Sequence, residues 1–517
     1  MAGKTFFRLV LVLTLVSLCW LFSVSIASGD INLTYGRVTI CGAEDNDYTG
    51  HAIASGDVNG DGLEDVIIGA FQADGPDDLR RFAGRVYVVF GPGNLSGTVD
   101  LASQADVVVY GADARDYAGS AVASGDVNGD GFADIVIAAE WADGPENSRV
   151  ECGEVYIVYG SASLTGPVDL RTQADVVMYG PDIRDQIGTS LAIGDVNGDE
   201  FDDLVIGAEW ADGLGPGHRR EDAGEVYVVL GSDSLPSHME MYGQADLIIY
   251  GEERGDHAGA AVAVGDLNGD RHGDIIVGAM WADGPRNDRP QAGGAYAVLG
   301  ANRFDSRMCD LRAESALTIF GADPQDLAGA SVASGDVNGD GYDDILVGAT
   351  YANGPYNRRT WAGEVYVLLG SGSIGETAHT QSVDLRRNAD LIVYGADRGD
   401  RAGTSLACGD VNGDGYEEII IGASFAAGAN NTQNKAGEAR IVLGSPTIGG
   451  TLDLAGESAM AIFGIDAGDQ AGSAVAIGDV NGDSIADILV GADAADGPND
   501  DRQEAGEAYI ISPRVYQ

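Results

Sequence analysis

Short apolar runs alternate with turns rich in Gly, Asp and Pro along almost the whole chain. In one representative stretch the runs begin at Ala105 (ADVVVYG), Ser120 (SAVASGDV), Ala133 (ADIVIAA) and Gly153 (GEVYIVYG). Runs of this length, rich in β-branched and aromatic residues and bounded by turn residues, predict β-strands. Some runs are apolar at nearly every position, which is typical of strands covered on both faces. The pattern therefore predicts an all-β chain whose unit is four short strands.

This unit is repeated seven times. A phrase of the form GDVNGDGxxD begins at Gly56 and returns every 69 to 74 residues, the seventh copy beginning at Gly478. Seven equal units predict a seven-bladed β-propeller of four-stranded antiparallel blades. A linear solenoid is the alternative, but it needs atypical end units and none is visible. We expect the lone first strand, Arg37 to Ala43, to join the last blade as its outer edge and close the ring.

The N-terminal residues 1–27 have a different pattern. Lys4 and Arg8 precede an apolar run that ends in the small-residue sequence Ser25-Ile26-Ala27. This order is typical of a secretory signal peptide, and an uncleaved membrane anchor is the alternative. We expect residues 28–517 to form one propeller that is secreted, at the cell surface or periplasmic, with no transmembrane segment in the mature chain.

Charge and composition restrict the partners and the chemistry. The chain has 81 acidic and 29 basic residues, a formal net charge of −52, so nucleic acid is a poor partner and cations are good ones. Its 44% hydrophobic content is enough for a packed core. The six His residues share no position in the repeat, and no motif of a nucleophilic or zinc enzyme is present. We therefore expect no catalytic activity, and no disulfide framework among the four Cys of the mature chain.

Each repeated phrase has the pattern D-x-N-x-D-x-x-x-D, numbered here as positions 1 to 9 of loops 1 to 7. Side-chain oxygens at positions 1, 3, 5 and 9 and a backbone carbonyl at position 7 form a donor set that Ca²⁺ prefers. The predicted ligands are Asp57, Asn59, Asp61, Leu63 and Asp65; Asp126, Asn128, Asp130, Phe132 and Asp134; Asp195, Asn197, Asp199, Phe201 and Asp203; Asp266, Asn268, Asp270, His272 and Asp274; Asp336, Asn338, Asp340, Tyr342 and Asp344; Asp410, Asn412, Asp414, Tyr416 and Glu418; and Asp479, Asn481, Asp483, Ile485 and Asp487.

The alternative is that these Asp and Asn side chains only cap turns. Calcium is favoured because carboxylates about 4 Å apart repel by roughly 4 kcal/mol near a protein surface, and turn capping does not require such crowding. Magnesium is less favoured because it resists dehydration. We therefore expect up to seven calcium ions.

The seven loops are not equivalent. Position 6 is Gly in four loops but Glu200, Arg271 and Ser484 in the others, and a positive φ there would strain a residue with a Cβ by about 1 kcal/mol or more. Because loop 4 also places Arg271 and His272 beside the ion, we expect it to be the weakest site. The longer Glu418 at position 9 of loop 6 is expected to alter the geometry there.

The opposite face of the propeller gathers the loops between the second and third strands of each blade. One position of these loops is aromatic in five blades, in which it is Trp141, Trp210, Trp281, Tyr351 and Phe425. These side chains either form a collar that stacks on a sugar or on a partner's side chain, or pack between adjacent blades.

The loops between blades contain an Asp in every unit, which we interpret as a turn-stabilising residue. Two of these loops spell Arg-Gly-Asp, beginning at Arg254 and Arg398, and since the repeat already requires the Asp we expect no adhesive use of them. Sequons at Asn32, Asn94 and Asn430 are relevant only in a source that glycosylates secreted proteins.

The phrase GDVNGDGYDDILVGA, preceded by IFG and followed by GEVYVLLG, resembles the FG-GAP repeats of the integrin α-chain head. The resemblance covers essentially all of residues 28–517. It implies a seven-bladed propeller with calcium between the first and second strands of its blades, carried by the residues at positions 1, 3, 5, 7 and 9. Integrin α-chains have such loops in only some blades and continue into leg domains and a membrane anchor, so signalling across a membrane is not implied.

These observations predict a non-catalytic, calcium-binding extracellular propeller, monomeric, that binds a protein or glycan ligand. The alternative is a secreted glycan-active hydrolase or lyase that uses carboxylates near the central axis, for which Glu140 and Glu209 are the nearest candidates. A purely structural matrix protein would differ from the first prediction only in lacking a specific ligand.

Overall fold

The structure is a computed structural model that describes residues 31–32, 38–76, 79–91, 96–215, 218–304, 306–375, 381–497 and 501–512. The predicted signal peptide, residues 1–27, and the sequon at Asn94 lie outside the described residues.

Seven sheets of the same topology make up the described chain. The innermost strands of blades 1 to 7 are Thr49–Gly56, Val122–Gly125, Leu191–Gly194, Ala258–Gly265, Ala328–Gly335, Leu406–Gly409 and Val475–Gly478. The second strands are Asp65–Ala70, Asp134–Ala139, Asp203–Ala208, Asp274–Ala279, Asp344–Ala349, Glu418–Ala423 and Asp487–Ala492. The third strands are Arg85–Val89, Glu154–Val158, Glu225–Val229, Gly294–Val298, Glu364–Leu368, Glu438–Val442 and Glu507–Ile511. The fourth strands are Val107–Tyr110, Val176–Tyr179, Leu247–Tyr250, Leu317–Phe320, Leu391–Tyr394, Met460–Phe463 and Val38–Cys41.

Each blade also has a fifth strand, so the prediction of four-stranded antiparallel blades is wrong in this respect. The connection between the third and fourth strands of one blade crosses to the preceding blade and pairs in parallel with its fourth strand, as Gly166–Asp169 does with Val107–Tyr110. The fifth strands of blades 1 to 7 are Gly166–Asp169, His238–Glu240, Met308–Asp310, Gln381–Asp384, Gly450–Asp453, Ile31–Asn32 and Gly97–Asp100. Each blade is therefore a mixed sheet that borrows its outer edge, which covers an otherwise open strand.

The helices within the described residues are single turns. One-turn α-helices follow six of the fifth strands, at Leu101–Gln104, Leu170–Gln173, Met241–Gln244, Leu311–Glu314, Leu385–Asn388 and Leu454–Glu457. Short 3₁₀ turns lie in the loops between second and third strands, at Pro145–Asn147, Pro285–Asn287, Pro355–Asn357 and Ala429–Asn431, and blade 3 has a small hairpin there, Gly213–Gly215 with His218–Arg220.

The N-terminal strand closes the ring as predicted, but the outer edge of blade 7 is Gly97–Asp100 and not this strand. Val38–Cys41 pairs antiparallel with the last strand, Glu507–Ile511, and so becomes the fourth strand of blade 7. The NH of Thr49, where blade 1 begins, donates to the carbonyl oxygen of Ala505 in blade 7 at 2.9 Å. Closure is thus carried by β-pairing and not by a covalent link, and the four cysteines within the described residues are all free.

The hydrophobic core lies between neighbouring blades and not inside any one blade. Between blades 7 and 1, for example, Val66 and Ile68 of blade 1 pack in one buried cluster with Leu489 and Ile510 of blade 7. A second strand is covered on both of its faces by such clusters, which explains why the second strands are apolar at nearly every position.

A charged clasp fixes the borrowed strand in six blades. An Arg from the loop between second and third strands forms an ion pair of 2.5 to 3.0 Å with the acid at the end of the fifth strand. The pairs are Arg80–Asp169, Arg149–Glu240, Arg220–Asp310, Arg289–Asp384, Arg359–Asp453 and Arg502–Asp100. This contact was not predicted from the sequence, although all six arginines stand five residues after a Gly of the same loop, a repeat that could have indicated it.

Candidate functional site

The predicted calcium loops join the first and second strands of all seven blades, where the sequence placed them. In loop 1 the carboxylate of Asp57 accepts hydrogen bonds from the NH groups of Gly60, Asp61 and Gly62 at 2.6 to 3.1 Å. Asn59 Oδ1 accepts from the NH of Asp61 at 2.9 Å. The oxygens of positions 1 and 3 thus turn into the loop, an arrangement that serves both turn capping and a bound cation.

Two backbone positions of every loop adopt a positive φ. Position 4 is always Gly, with φ between 72° and 76°. Position 6 has φ of 87° or 88° where it is Gly, and Glu200, Arg271 and Ser484 adopt 72°, 70° and 67°. The expected left-handed conformation at position 6 is confirmed, and loops 3, 4 and 7 carry its strain.

The acid at position 9 is the innermost group of each loop. Asp65 is completely buried, and its carboxylate accepts hydrogen bonds from the NH groups of Val58 and Gly91 at 3.0 and 2.8 Å. Burial raises its pKa to about 7, with a further contribution from the nearby Asp61 and Asp57. The same rise to about 7, or about 8 for the Glu, holds for Asp134, Asp203, Asp274, Asp344, Glu418 and Asp487. A cation beside these acids would keep them ionised.

The residues present fit an oxygen-seeking cation. Within the described part of the chain, no three carboxylate, imidazole or thiol groups are already drawn together as a metal site. In loops 3 and 6, however, the position-3 amide oxygens of Asn197 and Asn412 are buried and accept no hydrogen bond. A buried acceptor without a partner costs about 1–3 kcal/mol. Turn capping leaves this cost unexplained, whereas an ion held by positions 1, 3, 5, 7 and 9 would remove it.

Loop 4 is chemically distinct, as expected. His272 Nδ1 lies 2.8 Å from Asp270 Oδ1, so the position-7 imidazole contacts the position-5 carboxylate. In loop 6 the longer Glu418 reaches the amide of Asn412 at 2.7 Å, and it accepts the NH of Val411 as the shorter Asp does in loops 1 to 5. The Glu therefore preserves the anchoring bond of position 9.

The aromatic positions of the opposite face divide into two groups. Tyr351 and Phe425 enclose the guanidinium of Arg401, at 4.6 and 3.9 Å from the ring centroids, and so serve packing. The three tryptophans, Trp141, Trp210 and Trp281, remain 43%, 43% and 39% exposed. The tryptophans are therefore the more exposed group and offer the larger surface to a ligand.

Trp141 and Trp210 line a groove of about 580 Å³ between blades 2 and 3. Ile183 and Gln186 from the loop between these blades contribute apolar and amide surface, and Asp212 adds a carboxylate. Half-exposed indoles beside polar groups are common in sites for sugars and for partner side chains. On the other side of Trp210, the buried imidazole of His257 lies between Trp210 and Trp281, with its ring centroid 4.5 Å from that of Trp210.

Two partly buried acids stand directly before these tryptophans. Burial raises the pKa of Glu140, which accepts a hydrogen bond from Trp141 Nε1 at 3.1 Å. Burial, together with the charge of Glu140, raises the pKa of Glu209 to about 7. Glu209 Oε2 has no hydrogen-bond partner and lies 4.0 Å from His257 Nδ1.

The Asp of the loops between blades acts as a turn residue. The carboxylates of Asp116, Asp185, Asp256, Asp400 and Asp469 each accept the NH of the residue three positions earlier, at 2.7 to 3.1 Å. The last residues of the two Arg-Gly-Asp sequences, Asp256 and Asp400, are only 7% and 4% exposed. Their carboxylates are therefore directed into the fold and not toward a receptor.

Together, the closed ring of seven sheets and the oxygen-rich loop at the start of each second strand define a seven-bladed β-propeller of the integrin-α-like class. The chain belongs to the FG-GAP repeat family. Seven FG-GAP repeats match residues 49–89, 118–158, 187–229, 258–298, 328–368, 402–441 and 471–511, more than half of the chain.

Relatives of two kinds share this similarity. The chain is 27% identical to phosphatidylinositol-glycan-specific phospholipase D of Homo sapiens, over 72% of this chain and 43% of the relative. It is 34% identical to integrin alpha-PS2 of Drosophila melanogaster over 34% of this chain and 12% of the relative, and 28% identical to integrin alpha pat-2 of Caenorhabditis briggsae over 54% and 20%. The chain thus spans less than half the length of these relatives. No helix in the described ranges is long and apolar enough to cross a bilayer.

Proposed function

We propose that the chain is a non-catalytic, calcium-binding extracellular propeller that holds a protein or glycan ligand on the face opposite its calcium loops. The observation that carries the calcium is the pair of buried amide oxygens, of Asn197 and Asn412, that accept no hydrogen bond inside otherwise well-bonded loops. The half-exposed tryptophans support a ligand face, and the similarity to integrin alpha chains supports a binding role.

Asp126→Asn tests calcium binding in loop 2. The Asn keeps a side-chain oxygen that can accept the NH of Asp130, as Asp126 Oδ1 does at 3.0 Å, but it loses the charge and the second oxygen, which accepts the NH of Gly131 at 2.8 Å. If the loops bind calcium, elemental analysis of the purified wild type finds up to seven ions and the variant has one fewer. A wild type without bound calcium, or a variant with an unchanged count, would contradict the proposal.

A binding screen tests the ligand face. Wild-type protein in calcium is applied to arrays of glycans and extracellular proteins, and each ligand found is measured again with the double variant Trp141→Ala and Trp210→Ala. We expect at least a tenfold loss of affinity, because about 1.4 kcal/mol of lost stacking is sufficient for that factor. Tyr356→Ala is the matched control, since Tyr356 is an 89% exposed aromatic residue that does not line the groove. Equal losses in both variants would exclude the groove.

A glycan-active enzyme is the second candidate, and one observation favours it. The charge of Glu140 adds to burial in raising the pKa of Glu209, and a pair of neighbouring carboxylates is what glycoside hydrolysis uses. One relative is, by name, a phospholipase specific for phosphatidylinositol-glycan. Product release from a panel of glycans that includes a phosphatidylinositol-glycan, abolished by Glu140→Gln, would favour the enzyme over the binding module.

A further inference from the structure

The seven candidate calcium loops are hydrogen-bonded to one another in a closed ring. The NH of position 8 in each loop donates to the carbonyl oxygen of position 1 in the preceding loop. The donor and acceptor residues are Ala133 and Asp57, Asp202 and Asp126, Gly273 and Asp195, Asp343 and Asp266, Glu417 and Asp336, Ala486 and Asp410, and Glu64 and Asp479, at 2.7 to 3.4 Å. The last pair joins loop 1 to loop 7, so the chain of contacts has no end.

A second contact accompanies every one of these bonds. The side chain at position 7 of each loop lies on the Gly at position 4 of the preceding loop, so closely that a Cβ there would be 2.3 to 3.0 Å from it. The pairs are Phe132 on Gly60, Phe201 on Gly129, His272 on Gly198, Tyr342 on Gly269, Tyr416 on Gly339, Ile485 on Gly413 and Leu63 on Gly482. Position 4 therefore requires Gly for two reasons, its positive φ and the neighbour's side chain.

Position 7 thus has contacts in two loops at once. Its carbonyl oxygen is a candidate ligand of its own loop, while its side chain covers the backbone between positions 3 and 5 of the loop before. The next residue's NH holds the carbonyl of that loop's first ligand, as Ala133 holds Asp57 at 3.0 Å. An ion that fixes position 7 in one loop therefore also restricts the backbone that positions the ligands of its neighbour.

We infer that the position-7 side chain is a positioning residue for the calcium loop of the preceding blade, so that filling one loop raises the affinity of the loop before it. The inference rests on the proposed calcium binding. Ordering the neighbour's backbone in advance removes part of the entropy that its own ion must otherwise overcome. Coupling between sites of this kind typically changes affinity by about 5- to 150-fold, and the ring offers seven such links.

Phe132→Ala tests one link. The substitution keeps the backbone carbonyl of loop 2 but uncovers Gly60 in loop 1. Equilibrium dialysis with radioactive calcium should find the same number of ions at saturation, with one of them bound at least about fivefold more weakly. Phe132→Leu is the matched control, because Leu63 is the natural residue at this position of loop 1, and it should bind as the wild type does.

A double variant locates the weakened ion. In an Asp57→Asn background, which removes the site in loop 1, Phe132→Ala should have no further effect on the remaining ions. Persistence of the weakening there, or unchanged affinities in Phe132→Ala alone, would overturn the linkage while leaving calcium binding intact. A wild type that binds no calcium would overturn both. Tyr342→Ala, which uncovers Gly269, repeats the measurement in a second pair of loops and does not depend on the folding of Phe132→Ala.

Discussion

Arg502→Gln measures how firmly the outer strand of blade 7, Gly97–Asp100, is held. Arg502 donates to both carboxylate oxygens of Asp100 at 2.7 and 2.8 Å, and to the carbonyl oxygen of Gly42 at 2.7 Å. It thereby joins the loop of the last blade to the borrowed strand and to the end of Val38–Cys41. Gln is a suitable replacement, because Gln433 occupies the equivalent position of blade 6 and bonds a backbone carbonyl there.

The expected cost follows from the exposure of the pair. Hydrogen bonds to charged groups contribute about 1.5–3 kcal/mol, whereas exposed ion pairs contribute about 0–1 kcal/mol. The side chains of Arg502 and Asp100 are 24% and 33% exposed, so we expect the free energy of unfolding to fall by about 2 kcal/mol. The Arg502 guanidinium lowers the pKa of Asp100. The stabilisation from the Arg502–Asp100 ion pair is therefore present above about pH 4, and it is lost as the pH falls through the lowered pKa of Asp100 in the folded state.

Urea unfolding at pH 7 and constant calcium measures this cost. Arg184→Gln is the control: Arg184 is 74% exposed, and its removal should change stability by less than about 0.5 kcal/mol. In an Asp100→Asn background, Arg502→Gln should cost roughly 1 kcal/mol less than in the wild type, because the charged partner is absent. If Arg502→Gln lowers the free energy of unfolding no more than the control does, or by the same amount in both backgrounds, the ion pair does not hold the strand.

Three further predictions concern strain, pH and the unequal loops. Glu200→Gly relieves a φ of 72° and should raise the free energy of unfolding by about 1 kcal/mol in urea titrations, with no gain contradicting the strain. Burial, with the charge of Glu154, raises the pKa of Asp116 to about 7. The stabilisation that the protonated Asp116 gives the folded state is therefore complete below about pH 4 and is lost as the pH rises through about 7. From pH 5 to pH 8 the free energy of unfolding of Asp116→Asn, measured relative to the wild type, should therefore rise by roughly 1–3 kcal/mol. A difference between the two proteins that is the same at both pH values would refute this. Replacing Arg271 by Gly together with His272→Tyr removes a strained residue and the imidazole contact of Asp270. Relief of about 1 kcal/mol of strain should raise the affinity of the weakest calcium site by about fivefold in dialysis. An unchanged affinity of the weakest site would show that this site is not loop 4.

Local spacing in the sequence was sufficient for the architecture and for the position of the candidate site. The sevenfold phrase gave the number of blades, and the lone strand before the first phrase predicted how the ring closes, which the pairing of Val38–Cys41 with Glu507–Ile511 confirms. The left-handed backbone at position 6 could be predicted because the choice between Gly and Glu200 or Arg271 is a local signal. Calcium itself stays a prediction of the same pattern.

The tertiary structure decided contacts between residues that lie well apart in the chain, from 24 positions for Arg401 and Phe425 to 402 for Arg502 and Asp100. The fifth strand could not be predicted, because its parallel partner belongs to the preceding unit and the run itself is short. The ion pair between Arg502 and Asp100 joins the last blade to a strand that precedes it by about 400 residues in the sequence. The aromatic positions look equivalent in the sequence, yet Arg401 fills the space between two of them while Trp141 and Trp210 stay open. Strand periodicity and turn chemistry act over a few residues, whereas these contacts exist only after the ring brings neighbouring blades together.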